Sequence, residues 1–309
     1  MDAVCYKGPR ELEIIRAPVP QIRDDQVLIK VTCCGICGTD YHLAEGEFLA
    51  KFPYLIPGHE IVGDVKDFQK GDRCVADNTI LCDSCFHCRR GQYPPLRELR
   101  KHRRSPQTAA FAEYVAVQSK KVYKIQNLSE EEATWSSPPH APSMALDKLS
   151  PPVGIDALIL GAGPTGLILA QLLKLNGASH IVIAANKGVK TEIAQSLNAA
   201  DVLRRTRPNY PKGFDVVIEA TGAESVANEA INYVRRGGTL MVYGCYSKQA
   251  VVHWSPAKIF GDEIKIIGSF AQVHCFPRAV AYLESGKINV KGMVTDIFSI
   301  KDYQKHWRS

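Results

Sequence analysis

Three side chains suited to a metal ion stand in two short segments. Cys37 lies in Gly35-Ile-Cys-Gly-Thr-Asp-Tyr-His42, and His59-Glu60 come 22 residues later in Pro57-Gly-His-Glu60. A thiolate, an imidazole and a carboxylate are the mixed ligand set of a catalytic zinc, which keeps one position open for substrate. Taken singly, Cys37 reads as a small buried hydrophobe and His59 as a hydrogen-bonded core histidine. Together they read as a metal centre.

A nucleotide site comes about a hundred residues on. The apolar run Ile155-Asp-Ala-Leu-Ile-Leu160 leads straight into Gly161-Ala-Gly-Pro-Thr-Gly166, and Leu167 to Leu175 continue as a helix. Strand, glycine-rich turn and helix in this order are the context a dinucleotide fingerprint needs. Gly161 would make the tight turn, Gly163 would let a pyrophosphate approach the backbone, and Gly166 would let the helix pack on the strand. Pro164 and Thr165 open the helix, whose free N–H groups favour phosphate. A second strand, 181–186, should end beside the adenosine ribose, where an acid selects NAD. This sequence has Ala185 and Asn186 there, with Lys187 and Lys190 just beyond. NADP is therefore the expected cofactor, with NAD the alternative.

The elements that must position these residues fall into two kinds. The first 150 residues read as β-rich: Gln26 to Thr32 alternates at period two, and Glu113 to Val117 and Val122 to Ile125 are short strands between turn residues. Pro138, Pro139, Pro142, Pro151 and Pro152 punctuate the next stretch, and a domain boundary is placed near Pro151. Strands at 157–160, 181–184, 214–220 and 239–243 then alternate with helices at 164–176, 188–197 and 224–234, the pattern of a parallel doubly wound sheet. Ile264 to Ile267 reads as a last strand and Phe276 to Ser285 as a helix leading away.

Composition excludes several other classes. At 309 residues the chain is long enough for two domains. No apolar run reaches the roughly 18 residues that cross a bilayer, and Met1-Asp-Ala-Val-Cys5 lacks the pattern of a secretory leader, so the cytoplasm is the expected compartment. The ten cysteines include Cys82, Cys85 and Cys88 at CxxCxxC spacing, which suits metal binding and reduced thiols better than disulfides. The net charge of +6 sits in residues 89–104, where seven Lys or Arg meet one acid, Glu98. No aromatic residue is interleaved in Arg97 to Arg104, so it reads as a solvated loop and no nucleic-acid partner is expected.

The segments GICGTDYH, PGHEIVG, CxxCxxCRRGQ, FAEY, GAGPTG, FDVVIEATG and INYVRRGG, in this order, resemble the zinc-dependent medium-chain alcohol and polyol dehydrogenases. DNTILCDSCFHCRRGQ, KIQNLS and KIFGDEIKIIGSF are similar to the fungal D-arabinitol dehydrogenases among them. The resemblance implies an α/β protein with a GroES-like β-barrel catalytic domain over 1–150, a Rossmann domain over 151–271 and a shortened return to the first domain over 272–309. The active site would lie in the cleft between the domains. It also implies zinc ligands at Cys37, His59 and Glu60, with Thr39 taking the substrate proton and His42 passing it towards solvent. The expected reaction moves a hydride between a small-molecule polyol and NADP to give a ketose, in a homo-oligomer of two or four chains. The alternatives are a sorbitol- or xylitol-type dehydrogenase and a non-catalytic nucleotide-binding relative.

The sequence departs from that family at four places. A structural zinc takes four cysteines, but the fourth position after Cys82, Cys85 and Cys88 falls at Leu96, with His102 the nearby substitute. Ser137-Pro138 replaces a Glu-Pro whose carboxylate orients the metal-bound water. About ten residues fewer than the resemblance implies separate Gly63-Asp-Val-Lys66 from Phe68, and relatives continue beyond the position of Ser309.

Overall fold

The computed structural model describes residues 1–46, 56–65, 72–79, 81, 84–91, 109–138, 140–186, 188–197, 201–204, 213–270 and 274–304. They divide into two compact units, one of Met1–Ser137, Phe276–Gly286 and Val294–Ser309, the other of Pro138–Cys275 and Lys287–Met293.

In the first unit, β1 (Asp2–Gly8) and β2 (Glu11–Arg16) form an antiparallel hairpin. Five further strands, β3 (Gln26–Gly35), β4 (Glu60–Val65), β5 (Arg73–Ala76), β6 (Tyr114–Gln118) and β7 (Val122–Lys124), make an antiparallel sheet in the order β6-β3-β4-β5-β7. Val27, Ile29, Ile61, Val65, Val115 and Val117 form its core, as the period-two reading from Gln26 requires. The strand runs on past the predicted Thr32. Val31 faces Gly63 and Cys33 faces Val62, so Thr32 is the extra residue of a β-bulge. A bulge bends its strand and re-aims the residues beyond it. Those residues are Gly35, paired with Glu60 at the start of β4, and then Cys37 and the short helix α1 (Gly38–Ala44). The shortened segment after Val65 lies outside the described residues, but β4 and β5 on either side of it pair directly. Helix α2 (Glu130–Thr134) carries a capping box from Ser129 and Glu132. Tyr303 is buried with Val4 and Phe111, its ring 5.1 Å from that of Phe111.

In the second unit all six strands are parallel: β8 (Asp156–Leu160), β9 (His180–Ala185), β10 (Asp201–Arg204), β11 (Phe214–Glu219), β12 (Val234–Val242) and β13 (Lys265–Gly268). Their spatial order is β10-β9-β8-β11-β12-β13. Numbered within the unit this is 3-2-1-4-5-6, the order of the Rossmann fold, with a switch point between β8 and β11. Helices cover the sheet, so its strands read as near-continuous apolar runs. Leu158, Val182, Phe214, Val217 and Leu240 are buried in one cluster. Among the described residues no helix is long and apolar enough to cross a membrane.

Two departures from the expected pattern have local causes. The proline-punctuated stretch holds a helix, α3 (His140–Leu149). Pro142 is its third residue, where a backbone N–H has no partner within the helix, so the ring costs no hydrogen bond. The helix expected over 224–234 is α6 (Glu224–Ala230), α4 (Pro164–Leu175) and α5 (Val189–Ser196) preceding it. It ends early because Ile231–Tyr233 tightens into a 3-10 turn and Val234 already pairs with Phe214 as the first residue of β12. The strand expected from Thr239 is the second half of β12, beyond a register shift and the left-handed Gly237.

Leu158 is fully buried at the centre of the parallel sheet. Leu158→Ala should destabilise the protein by about 3 kcal/mol, read as a lower midpoint in urea denaturation. Val153→Ala, at a position 80% exposed, should change stability by less than about 0.5 kcal/mol.

Candidate metal and dinucleotide sites

Cys37, His59 and Glu60 come together as the spacing predicted: a ligand atom of each lies within 4.8 Å of the other two. A tetrahedral zinc with bonds of about 2.0–2.3 Å holds its ligands roughly 3.3–3.8 Å apart, so a small contraction would seat the ion. Three local features set this arrangement. Cys37 is the N-cap of α1 (φ −112°, ψ 163°), and its Sγ accepts from Thr39 N at 3.4 Å. Gly35 faces Glu60 across the β3–β4 ladder, and a Cβ there would run into the Glu60 carboxylate. The third feature is Asp40. Its Oδ2 accepts from Cys37 N at 3.0 Å, and its Oδ1 accepts from Gly58 N at 3.4 Å and lies 3.8 Å from His59 Nδ1.

Asp40 thus ties the cysteine segment to the histidine segment, and sequence reasoning passed over it. The available signal was a carboxylate three residues after Cys37 and one helical turn into α1. A carboxylate at Nδ1 fixes the orientation of a ligating imidazole and leaves Nε2 for a metal.

The charges also fit a cation. Burial pushes the Cys37 thiol up, with Asp40 adding to the effect and hydrogen bonds from Thr39 opposing it. Burial likewise raises the Asp40 carboxyl against the pull of His59, and it holds Glu60 well above the usual carboxylate range, with Cys37 the next cause. Three acidic groups therefore crowd round the single imidazole of His59, which favours the charged forms of Asp40 and Glu60, and a further positive charge would suit them. A divalent ion would supply it.

The remaining sequence candidates are more dispersed. Thr39 is exposed, and its hydroxyl bonds the Cys37 sulfur. His42 sits three residues on in α1, half-buried, its ring edge-on to Tyr41. Ser137 is buried and places no carboxylate at its position. Cys85 and Cys88 flank a short turn in which Cys88 N donates to Cys85 Sγ at 3.4 Å. Cys82, Leu96, His102 and the basic stretch Arg97 to Arg104 lie outside the described residues.

The glycine turn after β8 has the shape of a phosphate cradle. Gly161 is left-handed (φ 120°), and its N–H donates to Ala184 O at 2.9 Å. A Cβ on Gly166 would strike the Gly161 carbonyl, which is the close approach of helix to strand that the fingerprint requires. Gly163, the N-cap of α4, has nothing within 4 Å of where a Cβ would stand, and no side chain caps this helix. Pro164 begins α4, and half-buried Thr165 comes next. With no side chain capping it, the first turn of α4 at the carboxyl edge of the sheet is suited to a pyrophosphate. Ala185 closes β9, Asn186 and Lys190 are exposed just beyond it, and Lys187 lies outside the described residues.

Comparison with known proteins gives the family of the chain. The family model for the alcohol dehydrogenase GroES-like domain matches residues 23–127, and that for zinc-binding dehydrogenases matches residues 164–285. D-arabinitol dehydrogenase 1 of Uromyces fabae is 52% identical over 99% of this chain and 92% of its own length. Sorbitol dehydrogenase of Bacillus subtilis is 31% identical over 98% and 92%. Among solved structures, a zinc-binding dehydrogenase from Sinorhizobium meliloti bound to NADP superposes with a TM-score of 0.89 at 26% identity, covering 100% of this chain and 95% of that one. The chain, with its GroES-like and Rossmann sheets, therefore belongs to the zinc-binding medium-chain alcohol and polyol dehydrogenase family and is an NAD(P)-dependent oxidoreductase acting on CH–OH donors.

Proposed function

We propose that the chain oxidises a secondary hydroxyl of a sugar alcohol, D-arabinitol or a similar polyol, to a ketose, with NADP as hydride acceptor and a zinc ion held by Cys37, His59 and Glu60. The observation that carries this reading is the convergence of those three side chains on a half-buried, negatively biased point beside Asp40. The 52% identity to a D-arabinitol dehydrogenase supports the substrate class. The N-terminal domain, 1–150, would do the chemistry and 151–271 would bind the cofactor.

Bound zinc supplies Lewis-acid polarisation of the substrate hydroxyl, and NADP supplies the acceptor carbon for the hydride. The other tasks fall to the chain itself. Asp40 keeps the His59 ring oriented, and Gly35 leaves room for the Glu60 carboxylate. Thr39, whose hydroxyl reaches the Cys37 sulfur, takes the substrate proton. His42, its neighbour at i,i+3 on α1, hands the proton to solvent. Gly161, Gly163, Pro164, Thr165 and Gly166 cradle the pyrophosphate, while Ala185, Asn186, Lys187 and Lys190 receive the adenosine ribose. The lack of an acid at Ala185 and Asn186 and the nearby lysines favour a 2′-phosphate, and the S. meliloti relative bound to NADP supports that choice. Cys82, Cys85 and Cys88 would hold a second zinc weakly, since the fourth position is Leu96. A dimer or tetramer through the edge of the Rossmann sheet fits an exposed β13.

The protein as purified should hold about one zinc per chain by elemental analysis and reduce NADP in the presence of D-arabinitol, and chelation should abolish that activity. Cys37→Ser should lose the zinc and at least about 100-fold in kcat/KM. Full activity in that variant would remove zinc from the reaction. A faster rate with sorbitol or xylitol in a polyol panel would reassign the substrate.

Asp40→Asn should keep all three ligands yet weaken zinc binding roughly 10- to 100-fold, measured by competition with a chromophoric chelator. Ala185→Asp should shift the ratio of kcat/KM for NADP over NAD towards NAD by about tenfold or more, and an unchanged ratio would move the ribose contact elsewhere.

A further inference from the structure

Glu219, the last residue of β11, is 1% exposed, and neither the metal site nor the phosphate cradle uses it. Its carboxylate is the most heavily bonded among the described residues of the second unit. One oxygen accepts from Thr221 N at 2.7 Å and from the Thr221 hydroxyl. The other accepts from Gly222 N at 3.2 Å and from the Tyr246 hydroxyl. Its backbone carbonyl takes two more bonds, from Tyr243 N at 2.9 Å and Gly244 N at 2.8 Å. An ionised carboxylate only accepts, and each of these groups turned towards it donates. Tyr246 is held as a neutral donor, its pKa raised by burial first and then by Glu219.

The bonds join three loops at the carboxyl edge of neighbouring strands. Thr221 packs on the glycine turn after β8, since a Cβ on Gly161 would come within 3.0 Å of its Cγ2. Gly222 is left-handed (φ 73°), and a Cβ there would collide with the carbonyl of Cys245, in the loop after β12. In a sheet of this order the ligand lies outside the carboxyl ends at the switch point, with β8, β9 and β10 serving one mononucleotide and β11, β12 and β13 the other. The loops bound by Glu219 belong to that second half, which takes the nicotinamide. The oxidised ring carries a positive charge that the reduced ring lacks.

We propose that Glu219 is a positioning residue for the nicotinamide half of the cofactor, holding loops 220–222 and 243–246 together through Thr221, Gly222 and Tyr246, and that its buried charge makes the site prefer the oxidised, cationic ring over the reduced one. This rests on the dehydrogenase reading above. A carboxylate serving only as a strut would support both redox forms equally.

Dissociation constants for NADP⁺ and NADPH, measured by calorimetry without substrate, separate the two. Tight binding of either form by the unaltered chain stands for the cofactor reading alone, and failure to bind both removes that reading and this inference with it. Glu219→Gln should weaken NADP⁺ relative to NADPH by roughly tenfold, the scale of one charge acting over about 12 Å at an effective dielectric of about 20. Equal weakening of both forms, or no change, overturns the proposal. If Glu219→Gln fails to fold by circular dichroism, Tyr246→Phe decides. It keeps the charge and strips one screening donor, so the preference for NADP⁺ should rise about two- to threefold, and an unchanged ratio overturns the proposal.

Discussion

Three acidic side chains, the half-buried Cys37 and the buried Asp40 and Glu60, crowd round one imidazole and form the constraint on which the first unit depends. Cys37, Asp40 and Glu60 each pay for leaving water, and His59 alone cannot neutralise them. Such a cluster survives only where the backbone forces it. Here the bulge at Thr32, the Gly35–Glu60 pair and the N-cap at Cys37 do so, in less than one strand and one short helix. The same charge imbalance that burdens the bare fold would favour a divalent ion at the site. Stability without metal and affinity for metal would then be opposed in this region.

The second unit is organised differently. Its parallel sheet is a plain apolar slab, and the polar work is confined to the loops at the carboxyl edge. Gly161, Gly166 and Gly222 there bring backbone against backbone where any side chain would intrude. Glu219 supplies acceptors for the amides those turns leave over. In one unit carboxylates crowd round a single imidazole, while in the other a carboxylate has four donors.

Much of this was legible in the sequence. Apolar runs such as Asp156–Leu160 and Phe214–Glu219 announce buried parallel strands, and the meeting of Cys37, His59 and Glu60 was readable because ligand chemistry restricts residue type so strongly. The features that escaped depended on tertiary partners. Val234-Arg-Arg-Gly-Gly238 looks like a helix end running into a turn, and becomes strand only because Phe214 offers a ladder partner. Pro142 looks like a breaker, and its place in a first turn shows only once the helix start is known. Asp40 lies in a polar motif and Glu219 closes an apolar strand, and neither is distinguishable from a surface acid until its burial is seen.

Gln171, on the buried face of α4, is satisfied by backbone made 118 residues later: its Nε2 donates to Asn289 O at 2.9 Å, and its Oε1 accepts from Asn289 N at 2.7 Å. The ribosome therefore releases every strand of the parallel sheet before it releases the group that matches this amide. The dinucleotide unit therefore cannot complete its packing until a stretch of chain that contributes no strand to it, 287–293, has been made.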